Sequence, residues 1–195
     1  MIHYIADLHL DHSNINDKLD KRGFRNVEEM NEHIIKKWNE KISPKDEVII
    51  LGDFSFGDAE TTMKILKRLN GTKMLIKGNH DKNYLKDQRF DKTLFKWIKD
   101  VAEINDNGRK VILSHYPNIF YNGQYRNAYM LYGHIHNTQD MKLMEILLET
   151  ARNFRFEDKR TGEQKAIPFN LINCFCMYSN YVPLTLDEWI EISNK

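Results

Sequence analysis

Five of the chain's eight histidines fall in short polar groups: Asp7-Leu8-His9, Gly78-Asn79-His80-Asp81, His115 and Gly133-His134-Ile135-His136. Gly52-Asp53 adds a group with a lone carboxylate, and each group directly follows a short apolar run. Imidazole nitrogens, carboxylate oxygens and an amide oxygen are metal ligands, and there are enough of them for two ions. Two divalent ions about 3.5–4 Å apart can clamp a phosphoryl group and activate a water between them. Such a pair needs one ligand that reaches both ions. A carboxylate does this with its two oxygens, and Asp53, on a tight Gly-Asp turn, is the candidate. The mixed imidazole and carboxylate set favours Mn, Fe, Zn, Co or Ni over Mg. No cysteine belongs to any group, which argues against structural zinc. The chemistry indicated is metal-assisted hydrolysis.

Residues of this kind need a rigid frame, and the apolar runs supply one. Residues 2–6, 48–51 and 74–76 read as short buried strands. Between them, Val27, Met30, Ile34, Trp38 and Ile42 form a stripe of helical spacing, and 59–69 reads as a second helix closed by Asn70-Gly71. Asn26 with Glu29 predicts a capping box for the first of these helices. Strand, helix, strand, helix, strand argues for an α/β layered fold with its chemistry at strand ends. In the second half, 101–104 and 111–113 flank Asp106-Asn107-Gly108, a strong hairpin signal. Residues 129–132 lead into Gly133-His134. Met141, Met144, Leu148 and Ala151 have helical spacing and are expected to face the core. Residues 154–167 could form a hairpin, 171–177 a strand and 186–192 a closing helix. The chain reads as one domain over 1–195, with an elaboration at 137–170.

Hydrophobic residues are 41% and charged residues 29% of the chain, and the formal net charge is +1. This is ordinary globular composition, and it lacks the global basic footprint that binding to long nucleic acid usually demands. A nucleotide or a short single strand stays compatible with it. Cys174 and Cys176 stand too close in sequence to staple anything, and read as reduced core residues. No apolar run reaches membrane-spanning length, and the first strand leaves no room for a leader, so the expectation is a cytoplasmic protein with no membrane partner. The sequence does not indicate an oligomeric state.

The set D-x-H, G-D, G-N-H-D, H and G-H-x-H, in order over residues 7–136, resembles the calcineurin-like metallophosphoesterase superfamily. The flanks are similar to its small bacterial and phage phosphoesterases: residues 22–30 (RGFRNVEEM), Trp38-Asn39, Leu51-Gly52-Asp53-Phe54, Ser114-His115-Tyr116-Pro117 and Tyr181-Val182-Pro183-Leu184. The resemblance implies a four-layer α/β/β/α sandwich with two mixed β-sheets. It also implies a centre of two divalent metal ions, Mn²⁺ foremost. Asp7, His9 and His136 would hold the first ion, Asn79, His115 and His134 the second, and Asp53 would bridge. His80 would contact the scissile phosphate and protonate the leaving oxygen, with Asp81 hydrogen-bonded to it. A hydroxide between the ions would attack phosphorus in line. The implied substrate is a phosphate ester, with a lean toward a phosphodiester of nucleotide or short nucleic-acid type. A phosphomonoesterase of nucleotidase or protein-phosphatase type, and a non-catalytic binding module on the same fold, stay open.

Some residues keep two readings. His12 is either a substrate contact or a loop-stabilising side chain. Arg22 either offers its planar fork to a phosphate or is a solvated loop charge. Phe120, Tyr121, Tyr125 and Tyr129 either stack on a base or cover the edge of a sheet. The basic residues between Arg152 and Lys165 are diluted by acids and read first as a solvated hairpin. His3 and His33 are expected to be structural or exposed.

Overall fold

The computed structural model describes residues 1–194. Its first sheet contains β1 (Ile2–Ile5), β2 (Glu47–Ile50), β3 (Thr72–Ile76) and β4 (Ile98–Lys99), in that spatial order and parallel throughout. A single antiparallel bridge, Tyr4 with Leu184, lies along its β1 edge. The second sheet contains β5 (Val101–Asp106), β6 (Arg109–Ser114), β7 (Tyr129–Tyr132) and β10 (Leu171–Asn173), in the order β10-β7-β6-β5. It is mixed, because β5 and β6 form the hairpin announced by Asp106-Asn107-Gly108. Asn107 (φ 51°) and Gly108 (φ 82°) both take the left-handed conformation that a two-residue hairpin turn of this twist requires. Thus one sheet is parallel and one mixed, where two mixed sheets were expected. The hairpin of β8 (Phe156–Glu157) and β9 (Gln164–Lys165) stands apart from both.

Helix α1 (Val27–Lys41) buries Met30, Ile34 and Trp38, the stripe read from the sequence. Its N-cap is only half the expected capping box. Asn26 accepts from the Glu29 amide, but the Glu29 carboxylate turns outward to the Arg25 amide and guanidinium. The complete box is at α5 (Leu186–Ser193), between Thr185 and Glu188. α2 (Ala59–Arg68) is capped by Asp58, α3 (Lys82–Leu85) is a single turn, and α4 (Gln139–Asn153) follows the last histidine group. No helix among the described residues is long and apolar enough to cross a membrane.

Three apolar clusters hold these elements. Ile5, Val48, Ile50 and Leu75 on one face of the first sheet pack with Met30, Ile34 and Trp38 of α1 and Ile65 and Leu66 of α2. Tyr4, Ile49, Met74 and Ile76 on the other face meet Val111, Leu113, Leu131 and Ile172 of the second sheet, and Trp189 closes this layer. Ile112, Met130 and Leu171, on the far face of the second sheet, take up Met144 of α4. Residues alternate between clusters along β1 to β3, so both faces are apolar and the strands read as unbroken hydrophobic runs.

One expectation changes here. The strand expected over 171–177 stops at Asn173, and Cys176 begins a 3-10 turn. Cys174 therefore lies between the sheets and Cys176 in the cluster under the helices, rather than on one face. Both thiols are free and buried, and burial pushes that of Cys176 up to about 12. In α4 the expected stripe does face the core, with Met144 buried and Met141 and Leu148 packed against the outer cluster, while Leu143, Ile146 and Leu147 of the same helix face outward.

Candidate metal centre

The C-terminal ends of β1, β2, β3, β6 and β7 deliver the five polar groups to one place. Asp7, His9, Asp53, His134 and His136 all have positive φ, between 40° and 72°. A left-handed turn in a residue with a Cβ costs roughly 1–2 kcal/mol. Five such residues at one site mark a place where the chain holds strain to aim side chains inward. The glycines beside them allow the turns to nest. A Cβ on Gly78 would collide with the Asp53 carboxylate and amide, and one on Gly133 would sit 2.6 Å from Asp7 Oδ2.

Two donor sets result. Asp7, His9 and His136 each direct a ligand atom to one point, and Asp53, His115 and His134 to a second. Asp53 lies between them: its Oδ2 is 3.6 Å from His9 Nε2 and 3.5 Å from His115 Nε2. Asn79 joins the second set, with Oδ1 3.1 Å from His115 Nε2. The seven residues proposed as ligands therefore converge.

The chemistry of these atoms fits a pair of divalent cations. His115 Nδ1 is 2.8 Å from the Leu51 carbonyl, which fixes the ring proton there and turns the Nε2 lone pair to Asp53. His136 Nδ1 is 2.8 Å from Asp20 Oδ1, which turns its Nε2 toward Asp7. His9 Nε2 and His136 Nε2 face each other at 3.2 Å. Two ring nitrogens at that distance need a shared cation or proton between them. In the metal-free chain protons take that part. Burial opposes it, yet Asp53 and Asp7 hold His115 up at about 9, and Asp20 and Asp7 do the same for His136. Burial likewise opposes ionisation of Asp53, yet His115, His9 and the His80 amide hold its carboxyl down at about 2. Burial drives His9 well below its ordinary value and leaves it neutral.

His80 is partly exposed, with 38% of its side chain accessible. Its amide donates to Asp53 Oδ1 at 2.9 Å, and its ring stands at the cavity, with Nε2 4.0 Å from Asp53 Oδ2. The expected contact from Asp81 to this ring does not form. Asp81 is fully buried and accepts from the amides of Asp53 (2.9 Å), Phe54 (2.9 Å) and Gly78 (2.8 Å) and from the Tyr84 hydroxyl (2.8 Å). It ties the Gly-Asp turn to the Gly-Asn-His-Asp turn. Three backbone amides and a phenol saturate the carboxylate, so nothing is left for His80.

Arg22 is not at the cavity either. Its guanidinium is buried and donates to the carbonyls of Leu8 (2.6 Å) and Asp7 (2.9 Å) and to Asp20 Oδ2. It braces the loop that carries Asp7 and His9 and cannot reach a substrate. His12 does line the cavity, stacked on Phe56 with ring centroids 4.0 Å apart. Of the aromatics after His115, Tyr121 donates to the Ala128 carbonyl and Tyr129 packs on the core between the sheets, while Phe120 and Tyr125 are exposed and none lines the cavity. His3 is buried, and His33 packs against Phe24 and Tyr181.

Sequence reasoning missed Asp20, Phe56 and the Ile15–Leu19 turn, a π-helical segment that places Ile15 and Leu19 on the cavity wall. The cavity, about 520 Å³, is lined by the apolar Ile15, Leu19 and Phe56 as well as by the histidines.

Strand-end imidazoles and carboxylates gather in two candidate metal-binding sets about a shared aspartate, on an α/β protein with one parallel sheet packed against a mixed one. Residues 1–149 match the calcineurin-like phosphoesterase superfamily domain, and the chain belongs to that superfamily, whose members are in general metal-dependent phosphoesterases. An uncharacterized protein of Methanocaldococcus jannaschii is 36% identical over 137 residues, which is 69% of each chain. The gene 66 protein of Mycobacterium phage D29 is 33% identical over 82 residues, 40% of this chain and 39% of its own length. The crystal structure of a protein of unknown function from Aquifex aeolicus superimposes with a TM-score of 0.66 over 98% of both chains at 24% identity, a likeness of fold.

Proposed function

We propose that this chain is a phosphoesterase that works with two divalent metal ions, Mn²⁺ foremost, and cleaves a phosphodiester of nucleotide type. The observation that carries this is the position of Asp53 Oδ2, within 3.6 Å of a histidine from each donor set. One carboxylate that serves two sets is what a dinuclear centre requires. When bound, the ions would supply positive charge for the phosphoryl oxygens and lower the pKa of the attacking water.

The chain's own residues would do the rest. Asp7, His9 and His136 would hold one ion, Asn79, His115 and His134 the other, with Asp53 between. Leu51 and Asp20 orient His115 and His136. The ring of His80, which makes no side-chain hydrogen bond and opens to the cavity, would contact the phosphate and donate a proton to the leaving oxygen. The apolar residues Ile15, Leu19 and Phe56 in the cavity lining support a substrate with a second, organic substituent on phosphorus, as a diester has.

Turnover of bis-p-nitrophenyl phosphate and p-nitrophenyl phosphate, with and without Mn²⁺, tests this on the wild type and on His80→Asn. Mn²⁺-dependent cleavage of the diester, reduced in the variant, is the expected result. Cleavage of the monoester alone would replace the diester reading with a phosphatase, and silence on both esters in a metal-loaded protein would refute the enzyme reading for such esters.

A further inference from the structure

Helix α4 is apolar in two directions. Met141, Met144 and Leu148 pack on the second sheet's outer cluster. A second stripe faces solvent: Leu143 is 57% exposed, Ile146 61%, Leu147 41% and, just past the helix, Phe154 53%. Phe120, 77% exposed, and Ile119, 37%, extend it, and both share with Leu147 and Phe154 a groove of about 370 Å³. A helix apolar on both faces is normally covered on both. These six side chains expose on the order of 600 Å² of apolar surface, at the upper end of what a monomer shows. A standard protein interface takes about 800 Å² from each partner, a little over half of it apolar. The stripe with its polar rim is therefore large enough for a stable dimer.

The rim indicates the partner. Lys142 and Glu149 lie seven residues apart along one edge of the stripe, and neither belongs to an ion pair among the described residues. Two helices packed antiparallel about a two-fold axis bring the same edge of each together. Lys142 of one copy then faces Glu149 of the other, twice, and the helix dipoles oppose. A lipid surface suits this rim poorly, because Glu145 and Glu149 balance Lys142 and Arg152, where an interfacial helix carries a basic face.

We propose that the outer stripe of α4, with Phe120 and Phe154, is the interface of a two-fold homodimer in which α4 packs antiparallel on α4 of a second copy. The inference is independent of the phosphoesterase reading. Thr138 and Asp140 at the start of α4 also line the site cavity, so pairing would brace one of its walls.

Sedimentation equilibrium of the full chain at micromolar concentration, without and with Mn²⁺, tests the proposal. The expected mass is twice that of the chain. Ile146→Glu, at a solvent-facing position, should give a monomer with an unchanged circular dichroism spectrum. Lys142→Glu should weaken association about tenfold, because two-fold symmetry turns two attractions into two repulsions. Lys142→Glu with Glu149→Lys should restore it. A wild-type monomer, a dimer that persists in Ile146→Glu, or a double variant no tighter than Lys142→Glu alone would each overturn the proposal. The charge series decides the matter even if Ile146→Glu fails to fold.

Discussion

Replacing Asp81 by Asn separates the role the structure gives this residue from the role its place beside His80 suggested. In the native chain Oδ2 accepts from the Asp53 and Gly78 amides, and Oδ1 from the Phe54 amide and the Tyr84 hydroxyl. An asparagine can keep one acceptor only. With its NH₂ at the Oδ2 position, two buried amides face a donor. With its NH₂ at the Oδ1 position, Tyr84 can turn to accept, and only the Phe54 amide is orphaned, so this orientation is preferred. One orphaned buried amide costs about 1–3 kcal/mol. Loss of the charge weakens the two bonds left on the remaining oxygen, together about 1–2 kcal/mol. Against this, burial and, after it, the neighbouring Asp53 charge raise the Asp81 pKa, so removing its charge recovers part of the loss. The net expectation is a destabilisation of about 2–4 kcal/mol. Urea unfolding of EDTA-treated wild type and Asp81→Asn measures it free of metal linkage. A change below about 1 kcal/mol, with a pH–rate profile shifted instead, would refute the bracing role and restore a direct partnership with His80.

Other substitutions and conditions have equally definite outcomes. His80→Asn should keep its metal content while turnover of a diester falls roughly 10²–10⁴-fold; unchanged turnover on a poor leaving group would remove His80 as the acid. Arg22→Ala leaves the Asp7 and Leu8 carbonyls and Asp20 without their buried donor, so it should lower stability by about 3–5 kcal/mol and weaken Mn²⁺ binding, read by urea unfolding and calorimetry. For the metal-free chain, His115 and His136 lie above their ordinary value, at about 9. Their contribution to stability is therefore full below about pH 6.5 and lost as pH rises through about 9. For the same reason, ion binding at pH 7 should release about two protons per chain, which calorimetry in buffers of different ionisation enthalpy would detect. Binding without proton release would contradict the assigned ligands.

The five polar groups were legible because residue type and order are local properties, and each group follows an apolar run that the sheets use as a strand. Asp7, His9, Asp53, Asn79, His115, His134 and His136 all stand in those groups; their individual ligand roles were what the family resemblance implied, and all seven converge. The turn at Asn107-Gly108 was legible for the same reason. What could not be read depends on approach between distant segments. Asp81 finds its partners at residues 53, 54 and 78, brought together only when β2 and β3 pair. Asp20 and Arg22 act on Asp7, Leu8 and His136 because the Ile15–Leu19 turn folds the loop back, and no periodicity announces a single π-helical turn. Phe56 is separated from its stacking partner His12 by the Ile15–Leu19 turn, α1 and β2, with only its place shortly after Gly52-Asp53 as a clue. In α4 the stripe of Met141, Met144 and Leu148 was read as core-facing and does meet the sheet, while the apolar residues on its other side were not read as a second stripe.

The most direct test of the dinuclear reading is a calorimetric titration of Mn²⁺ into EDTA-stripped protein, with bound metal counted by mass spectrometry, for the wild type and Asp53→Asn. The account predicts two ions per chain in the wild type and loss of both in the variant, since one carboxylate serves both donor sets. A wild type that binds one ion or none, or an Asp53→Asn variant that still binds two, would contradict it.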